Sequence, residues 1–312
     1  SYAGQAVVMT YPLIGNYGVT PDMETKQPWP DGYIVRELSR IPSNFRCQGT
    51  IQDFLKEHDI PGIAGIDTRA LTKILREKGT MNGMITTDEN YKLDEILPQL
   101  HVYNTGNVVD KVTCSEKEVL KADGYKVALL DFGAKNNIAQ SLHKRGCEVT
   151  IYPAHTTAEE ILASNPDGIM LSNGPGDPKA CTDIIKEVKK LYDSEVPIFA
   201  ICLGHQLMAL ATGADTYKLK YGHRGGNHPV KDLETGRVYI SSQNHGYAVD
   251  AESLDPAVAV PAFTNVNDGT NEGLKYTGKN IFTVQFHPEA CPGPQDSGYL
   301  FDKFIEMMGG QK

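Results

Sequence analysis

Among the reactive side chains of this 312-residue chain, Cys202 stands in the most telling surroundings. Residues 196–201 (VPIFAI) form an apolar, strand-like run and residues 204–210 read as a helix opening, so Cys202 falls on the bend between them. A tight strand-to-helix turn needs small neighbours, and Ala200 and Gly204 stand two residues before and after the thiol. The bend raises Sγ above a sheet and sets it at a helix amino terminus, whose partial positive charge favours anionic sulfur. It also leaves the Leu203 N–H free to face a developing oxyanion. A buried structural cysteine would fit the same A-x-C-x-G pattern, so further chemistry has to be found elsewhere.

A second signal is the segment SNGPGDP at 172–178, which follows the apolar run DGIMLS. Two glycines and two prolines in so short a span give a rigid loop of close approach, whose amides can line a pocket or add an oxyanion donor. An ordinary strand-end turn has the same composition. No GxxxxGK[ST] occurs, so the loop is not read as a nucleotide phosphate cradle.

A cysteine that attacks an amide needs a base that later protonates the departing amine, and histidine suits both tasks near neutral pH. Of nine histidines, His205 lies one turn along the Cys202 helix, and His245 reads as part of a loop. His223 and His228, in GHRGGNH, read as a shaped surface loop and not a metal site, with no carboxylate cluster nearby in sequence. His287 differs: it ends the apolar strand 281–286 and precedes Pro288, which favours extended backbone. In an extended segment His287 and Glu289 point to one side, so the carboxylate can fix the tautomer and leave the other ring nitrogen for sulfur. Many His-x-Glu pairs are merely structural.

These residues need a scaffold. From residue 125 onward, short apolar runs (KVALLDFG, EVTIYPA, DGIMLS, VPIFAI) alternate with helical stretches near 137–144, 158–162 and 182–192. That alternation predicts an α/β domain with a mostly parallel open sheet flanked by helices, which binds ligands beyond the carboxyl ends of its strands. Residues 1–112 read as a smaller α+β domain, with helices over 50–58 and over 68–78, the latter capped by Asp67 and ended by Gly79. The polar stretch 113–124 reads as a linker, followed by a second domain over 125–312.

The totals narrow the class. Acidic side chains outnumber basic ones, 39 to 30, which disfavours nucleic acid as a partner. No apolar run is long enough for a membrane span, and no signal core is visible at the amino terminus, so a cytoplasmic protein is expected. The six cysteines (Cys47, Cys114, Cys147, Cys181, Cys202, Cys291) form no CxxC pair and read as reduced thiols, with no metal site.

Taken in order, SNGPGDP, AICLGHQLMAL and QFHPEA resemble the triad-type (class I) glutamine amidotransferases over residues 125–312. TYPLIGNYGV, IPSNFR, GIAGIDTRALT and LREKGTMNG resemble the amino-terminal domain of the carbamoyl-phosphate synthetase small subunit. The resemblance implies that Cys202 attacks the glutamine amide, His287 is the base and Glu289 its orienter, with an oxyanion held by the amides of Leu203 and Gly174. It carries glutamine contacts onto Ser1, Gly174, Gly176, Leu203, Gln206, Asn244, Gly246 and Tyr247, the last standing where relatives often have Phe. It implies no cofactor in this chain. The expected partner in a heterodimer is a large subunit holding ATP and Mg, which combines the ammonia with bicarbonate into carbamoyl phosphate for arginine and pyrimidine synthesis. The chain opens at Ser1 without Met or the family's preceding strands, so the resemblance implies an amino-terminal domain truncated at its start. An amidotransferase subunit of another synthase, of anthranilate or GMP type, is the alternative enzyme, and a docking subunit that keeps the fold without catalysis is the alternative of another class.

Overall fold

The computed structural model describes residues 1–25, 27–290 and 293–309, so Cys291 lies outside the described residues. The chain forms two compact units, one over Tyr2–Gly106 and one comprising Ser1 with the chain from Asn107 onward. In the first, β1 (Ala6–Val8), β3 (Gly32–Ile34) and β5 (Gly62–Ile63) make a three-stranded sheet in the order β1-β3-β5. Strands β2 (Leu13–Ile14) and β4 (Glu37–Leu38) pair separately. The expected helices form as α1 (Ile51–Glu57) and α2 (Thr68–Lys78). Thr50 Oγ1 accepts from the Asp53 N–H and Asp67 Oδ1 from the Ala70 N–H, satisfying amides that a helix start leaves open. Gly79, at φ +95°, stops α2 in a conformation that favours glycine. Helix α3 (Leu93–Val102) completes the unit.

The second unit does not begin with a free linker. The four-residue α4 (Val109–Val112) buries Val109 and Val112, and β6 (Glu118–Leu120), inside the polar stretch 113–124, pairs antiparallel with β8 (Glu148–Pro153). Polar composition suits an edge strand as well as a connection.

One ten-stranded sheet carries the unit. Its centre is β7 (Lys126–Asp131), β8, β9 (Gly168–Leu171), β10 (Ile198–Ile201) and β15 (Ile281–Val284), parallel throughout in the spatial order β15-β10-β9-β7-β8. These strands read as unbroken apolar runs because both faces are covered. On β7, Ala128 and Leu130 enter one core with α6 (Ala158–Ala163), α7 (Thr182–Asp193) and α8 (Leu203–Ala211). Val127 and Leu129 enter the opposite core with α5 (Asn136–His143) and α9 (Tyr299–Gly309). Leu129, Leu130, Ile169 and Phe199 are wholly buried, each worth about 1.5–3 kcal/mol in transfer free energy.

Beyond β15 the sheet turns antiparallel through β14 (Asn271–Tyr276), β13 (Ala259–Asn265), β11 (Thr216–Asp232) and β12 (Val238–Val249). The sheet is therefore mixed, and the GHRGGNH segment and His245, both expected in loops, lie within β11 and β12. Glycines that read as a loop are here tied to two register irregularities in the β11–β12 ladder. No helix among the described residues is long and apolar enough to cross a membrane.

Candidate active site

Three neighbouring strands end together. β10 lies between β9 and β15, so the Cys202 bend, the loop from Ser172 and the segment leading to His287 leave the sheet side by side. The bend is a true corner: Cys202 has φ +53° and ψ −103°, a conformation that costs on the order of 1–3 kcal/mol in a non-glycine residue. Hydrogen bonds on either side hold it, from the Cys202 N–H to the Val284 carbonyl (2.8 Å) and from the Gly204 N–H to the Ser172 carbonyl (3.0 Å). Leu203 is the first helical residue, and its N–H has no acceptor within the helix. Gly174 packs against the same corner, with space for no side chain: a Cβ there would collide with the Phe132 carbonyl oxygen and stand 2.5 Å from Leu203 Cδ2.

His287 and Glu289 are both buried, and the His287 Nδ1–H donates to Glu289 Oε1 at 2.7 Å. The contact orients the ring and leaves Nε2 for another partner. Nε2 is buried and makes no hydrogen bond of standard geometry, while Cys202 is near enough to act on the ring electrostatically. Loose contacts of this kind are usual before substrate binds. Burial and the Lys135 charge both act to lower the His287 pKa, but Glu289 and Cys202 outweigh them and raise it to about 9. For Glu289, burial pushes up and His287 and Lys135 pull down, leaving it at about 2. The pair is therefore an ionised carboxylate bracing an imidazole that readily holds a proton.

Lys135 is a neighbour the sequence did not reveal. Its Nζ lies 3.5 Å from Glu289 Oε1, and its backbone N–H donates to Asn173 Oδ1 at 3.1 Å. Lys135 and Glu289 stand 154 positions apart in the chain, so no local pattern could have signalled the contact.

The residues expected as glutamine contacts lie on α8, on β12 and on the loop from Ser172, with Ser1 bonded to that loop. Gln206 on α8 donates from Nε2 to the Tyr247 carbonyl and to Gln285 Oε1, both at 2.8 Å, so its own carbonyl oxygen is left for another donor. Asn244 has both amide atoms buried and unbonded, a costly arrangement that a polar ligand would relieve. Gly246 and Tyr247 continue the same strand, and Gly176, at φ +94°, turns the loop that Gly174 begins. Ser1 also lies here, its Oγ accepting from Asn173 Nδ2 at 3.1 Å. His205 does not join the site: it is buried, its Nδ1 bonds Thr283 Oγ1 at 2.7 Å, and burial lowers its pKa to about 3.

His223 departs most from expectation. It is buried, and carboxylates absent from its sequence neighbourhood reach it from β14 and the preceding turn: Nδ1 lies 3.2 Å from Glu272 Oε1 and Nε2 2.8 Å from Asp268 Oδ2.

This is the arrangement of a class I glutamine amidotransferase, and a family model described as glutamine amidotransferase class-I matches residues 128–307. A second model, described as carbamoyl-phosphate synthase small chain, CPSase domain, matches residues 1–85. The chain is 50% identical to a carbamoyl phosphate synthase small chain of Clostridium perfringens, over 98% of this chain and 86% of that protein. It is likewise 50% identical to the one from Listeria monocytogenes, over 100% of this chain and 86% of that protein. The chain belongs to the carbamoyl phosphate synthase small chain family. In fold it is also similar to a putative GMP synthase protein from Thermoplasma acidophilum, at 23% identity and a TM-score of 0.54 over 61% of this chain and 97% of that one.

Proposed function

We infer that this chain is the glutamine-hydrolysing subunit of a carbamoyl-phosphate synthase, with Cys202 as nucleophile, His287 as base and Glu289 as orienter. The observation that carries the catalytic roles is the strained corner at Cys202, set on the strand beside the buried His287–Glu289 pair.

The reaction runs in two halves. Cys202 Sγ, giving its proton to His287 Nε2, attacks the side-chain amide carbon of glutamine, and the carbonyl oxygen becomes an oxyanion between the N–H groups of Leu203 and Gly174. His287 passes the proton to the departing nitrogen, the C–N bond breaks, and ammonia leaves a glutamyl thioester on sulfur. Water, deprotonated by His287, then adds to the thioester, and the C–S bond breaks to release glutamate and restore the thiol. Glu289 stays ionised throughout and keeps Nε2 facing sulfur. The unbonded amide of Asn244, the free carbonyl oxygen of Gln206 and the backbone of Gly246 and Tyr247 hold the amino-acid end of the substrate, with Gly176 and Ser1 closing the loop side.

Ammonia then passes to a large subunit, where ATP and Mg drive its union with bicarbonate into carbamoyl phosphate for arginine and pyrimidine synthesis. A sheltered transfer keeps the nitrogen as neutral ammonia, since ammonium is no nucleophile. This chain needs no cofactor under that division of labour, and its site of action is the cytoplasm.

The test is co-purification with a large synthase subunit followed by carbamoyl-phosphate assays. Cys202→Ser is expected to abolish synthesis from glutamine while synthesis from added ammonia and partner binding persist. Glutamine-dependent synthesis by that variant would refute the assignment.

A further inference from the structure

The buried cluster around His223 has no part in the chemistry above, yet it is joined to the substrate side of the site. In the β11–β12 ladder the register shifts between Lys218 and His223 and again between Gly225 and His228, leaving His223 directly opposite His245. The two rings meet edge to face, with centroids 4.8 Å apart at 82°. Glu272, wholly buried, takes a hydrogen bond from Asn265 Nδ2 on the oxygen that faces His223, while its other oxygen is buried without a partner. One polar atom each of His223, His245 and Glu272 lie within 4.8 Å of one another, a spacing that raises the question of a metal ion. The hydrogen bonds answer it. Both His223 nitrogens face carboxylate oxygens, and with both carboxylates ionised the ring satisfies them only as an imidazolium, whereas a metal needs a nitrogen lone pair.

The charge on that ring bears on its neighbour. His245 is held well below the ordinary histidine pKa, chiefly by burial and next by His223. It stays neutral, its Nδ1–H donating to the Tyr247 carbonyl at 2.8 Å while Nε2 meets the Gln243 side-chain amide at 3.1 Å. The same oxygen accepts from Gln206 Nε2. A continuous path therefore runs from Asp268 and Glu272 through His223 and His245 to Tyr247 and Gln206. The strand it braces, β12, also bears Asn244 and Gly246.

We propose that His223, clasped by Glu272 and Asp268, is a positioning residue for glutamine binding that acts through His245 on the β12 strand. This rests on the glutaminase reading above and extends it to residues that touch neither substrate nor sulfur. The other charged or titratable groups around the ring pair are His228, whose ring centroid is 5.1 Å from that of His223, and Arg224 and His287, which act on His245. Burial works against charge on His223, but Glu272 and Asp268 outweigh it and raise its pKa. Asp268 is held low by the Thr270 N–H and His223 against the effect of burial, while burial leaves Glu272 raised, so the His223–Glu272 contact shares a proton as a coupled pair. Cys202 and His287 stand just beyond β10 and β15, and His287 meets the braced strand through its N–H to the Ser242 carbonyl at 2.9 Å and not through the His223–His245 ring contact, so loss of that contact weakens substrate binding more than turnover.

The experiment compares glutamine hydrolysis by the full chain bound to its large subunit in wild type, His223→Asn, Glu272→Gln, Glu272→Leu and Cys202→Ser. His223→Asn and Glu272→Leu are expected to raise KM about tenfold or more with kcat within about threefold of wild type, the sign of lost ground-state binding. Glu272→Gln, whose amide oxygen still accepts from Nδ1, is expected to stay within about threefold on both. Nitrogen-15 NMR of the wild-type histidine rings gives a reading free of folding losses: His223 protonated on both nitrogens at about pH 7, His245 on Nδ1 alone. A wild-type KM in folded His223→Asn, equal losses in kcat and affinity, or a singly protonated His223 would overturn the proposal. Turnover by Cys202→Ser would instead overturn the glutaminase reading beneath it.

Discussion

The Cα of Gly204 faces the Leu171 carbonyl oxygen so closely that a Cβ on residue 204 would stand 2.5 Å from it. The oxygen belongs to the end of β9 and the glycine to the first turn of α8, so the contact sets how tightly the helix folds back over the sheet behind Cys202. Gly204→Ala must force the two apart. It is expected to lower stability by about 1–3 kcal/mol, as overpacking does, and to lower glutaminase kcat further than the lost folded fraction explains. Urea denaturation with kinetics on the same samples checks both, and wild-type values in each would show that the corner is not tightly set.

Glu289→Gln keeps the shape of the side chain but removes the charge that fixes the His287 tautomer. The variant is expected to lose about 10²- to 10⁴-fold in kcat/KM, by analogy with other orienting carboxylates. Its His287 pKa should fall below the wild-type value of about 9, because Glu289 is the foremost of the groups that raise it. NMR titration of the ring measures this directly. An unchanged His287 titration would remove Glu289 from the role given to it.

The same pair gives stability a defined pH dependence. Glu289, lowered from 4.5 to about 2, contributes stability that is complete above about pH 4.5 and lost as pH falls towards 2. His287, raised from 6.5 to about 9, contributes stability that is complete below about pH 6.5 and lost as pH rises through 9. The stability difference between wild type and Glu289→Gln should therefore be largest between about pH 4.5 and 6.5 and shrink on both sides. Denaturant titrations across pH measure it, and a difference that stays flat from acid to alkali would contradict the pairing.

Gly174→Ala tests the oxyanion site apart from the triad. Its new methyl group would meet Phe132 and Leu203 and displace the loop amide. A fall of about 10²- to 10³-fold in kcat is expected, the usual effect of losing one oxyanion donor, with chloroacetamide-type alkylation of Cys202 largely retained. Normal turnover would show that this amide does not serve the oxyanion.

The parts of the site legible in sequence are those that local chemistry specifies. Continuous apolar runs mark β7, β9 and β10 because both faces are buried, Asp67 and Gly79 punctuate α2, and the A-x-C-x-G spacing marks the corner because Gly204 has no space for a side chain. What stayed hidden depends on strand register and long-range packing. His223 meets His245 only through two irregularities in one ladder, Lys135 reaches Glu289 from a distant stretch of chain, and Gln285 anchors Gln206 from a neighbouring strand end. The antiparallel half of the sheet was illegible for a related reason: glycines and prolines in β11 and β13 imitate loops where bulges bend the strands.

During turnover Cys202 sulfur is expected to carry the glutamyl group. Acid quenching of the complex during steady-state hydrolysis of carbon-labelled glutamine, followed by peptide mass spectrometry, tests it most directly. A labelled glutamyl thioester is expected on the peptide bearing Cys202, absent from Cys202→Ser and accumulating in any variant whose deacylation is slowed. Label on another residue, or turnover by Cys202→Ser with no labelled peptide, would contradict it.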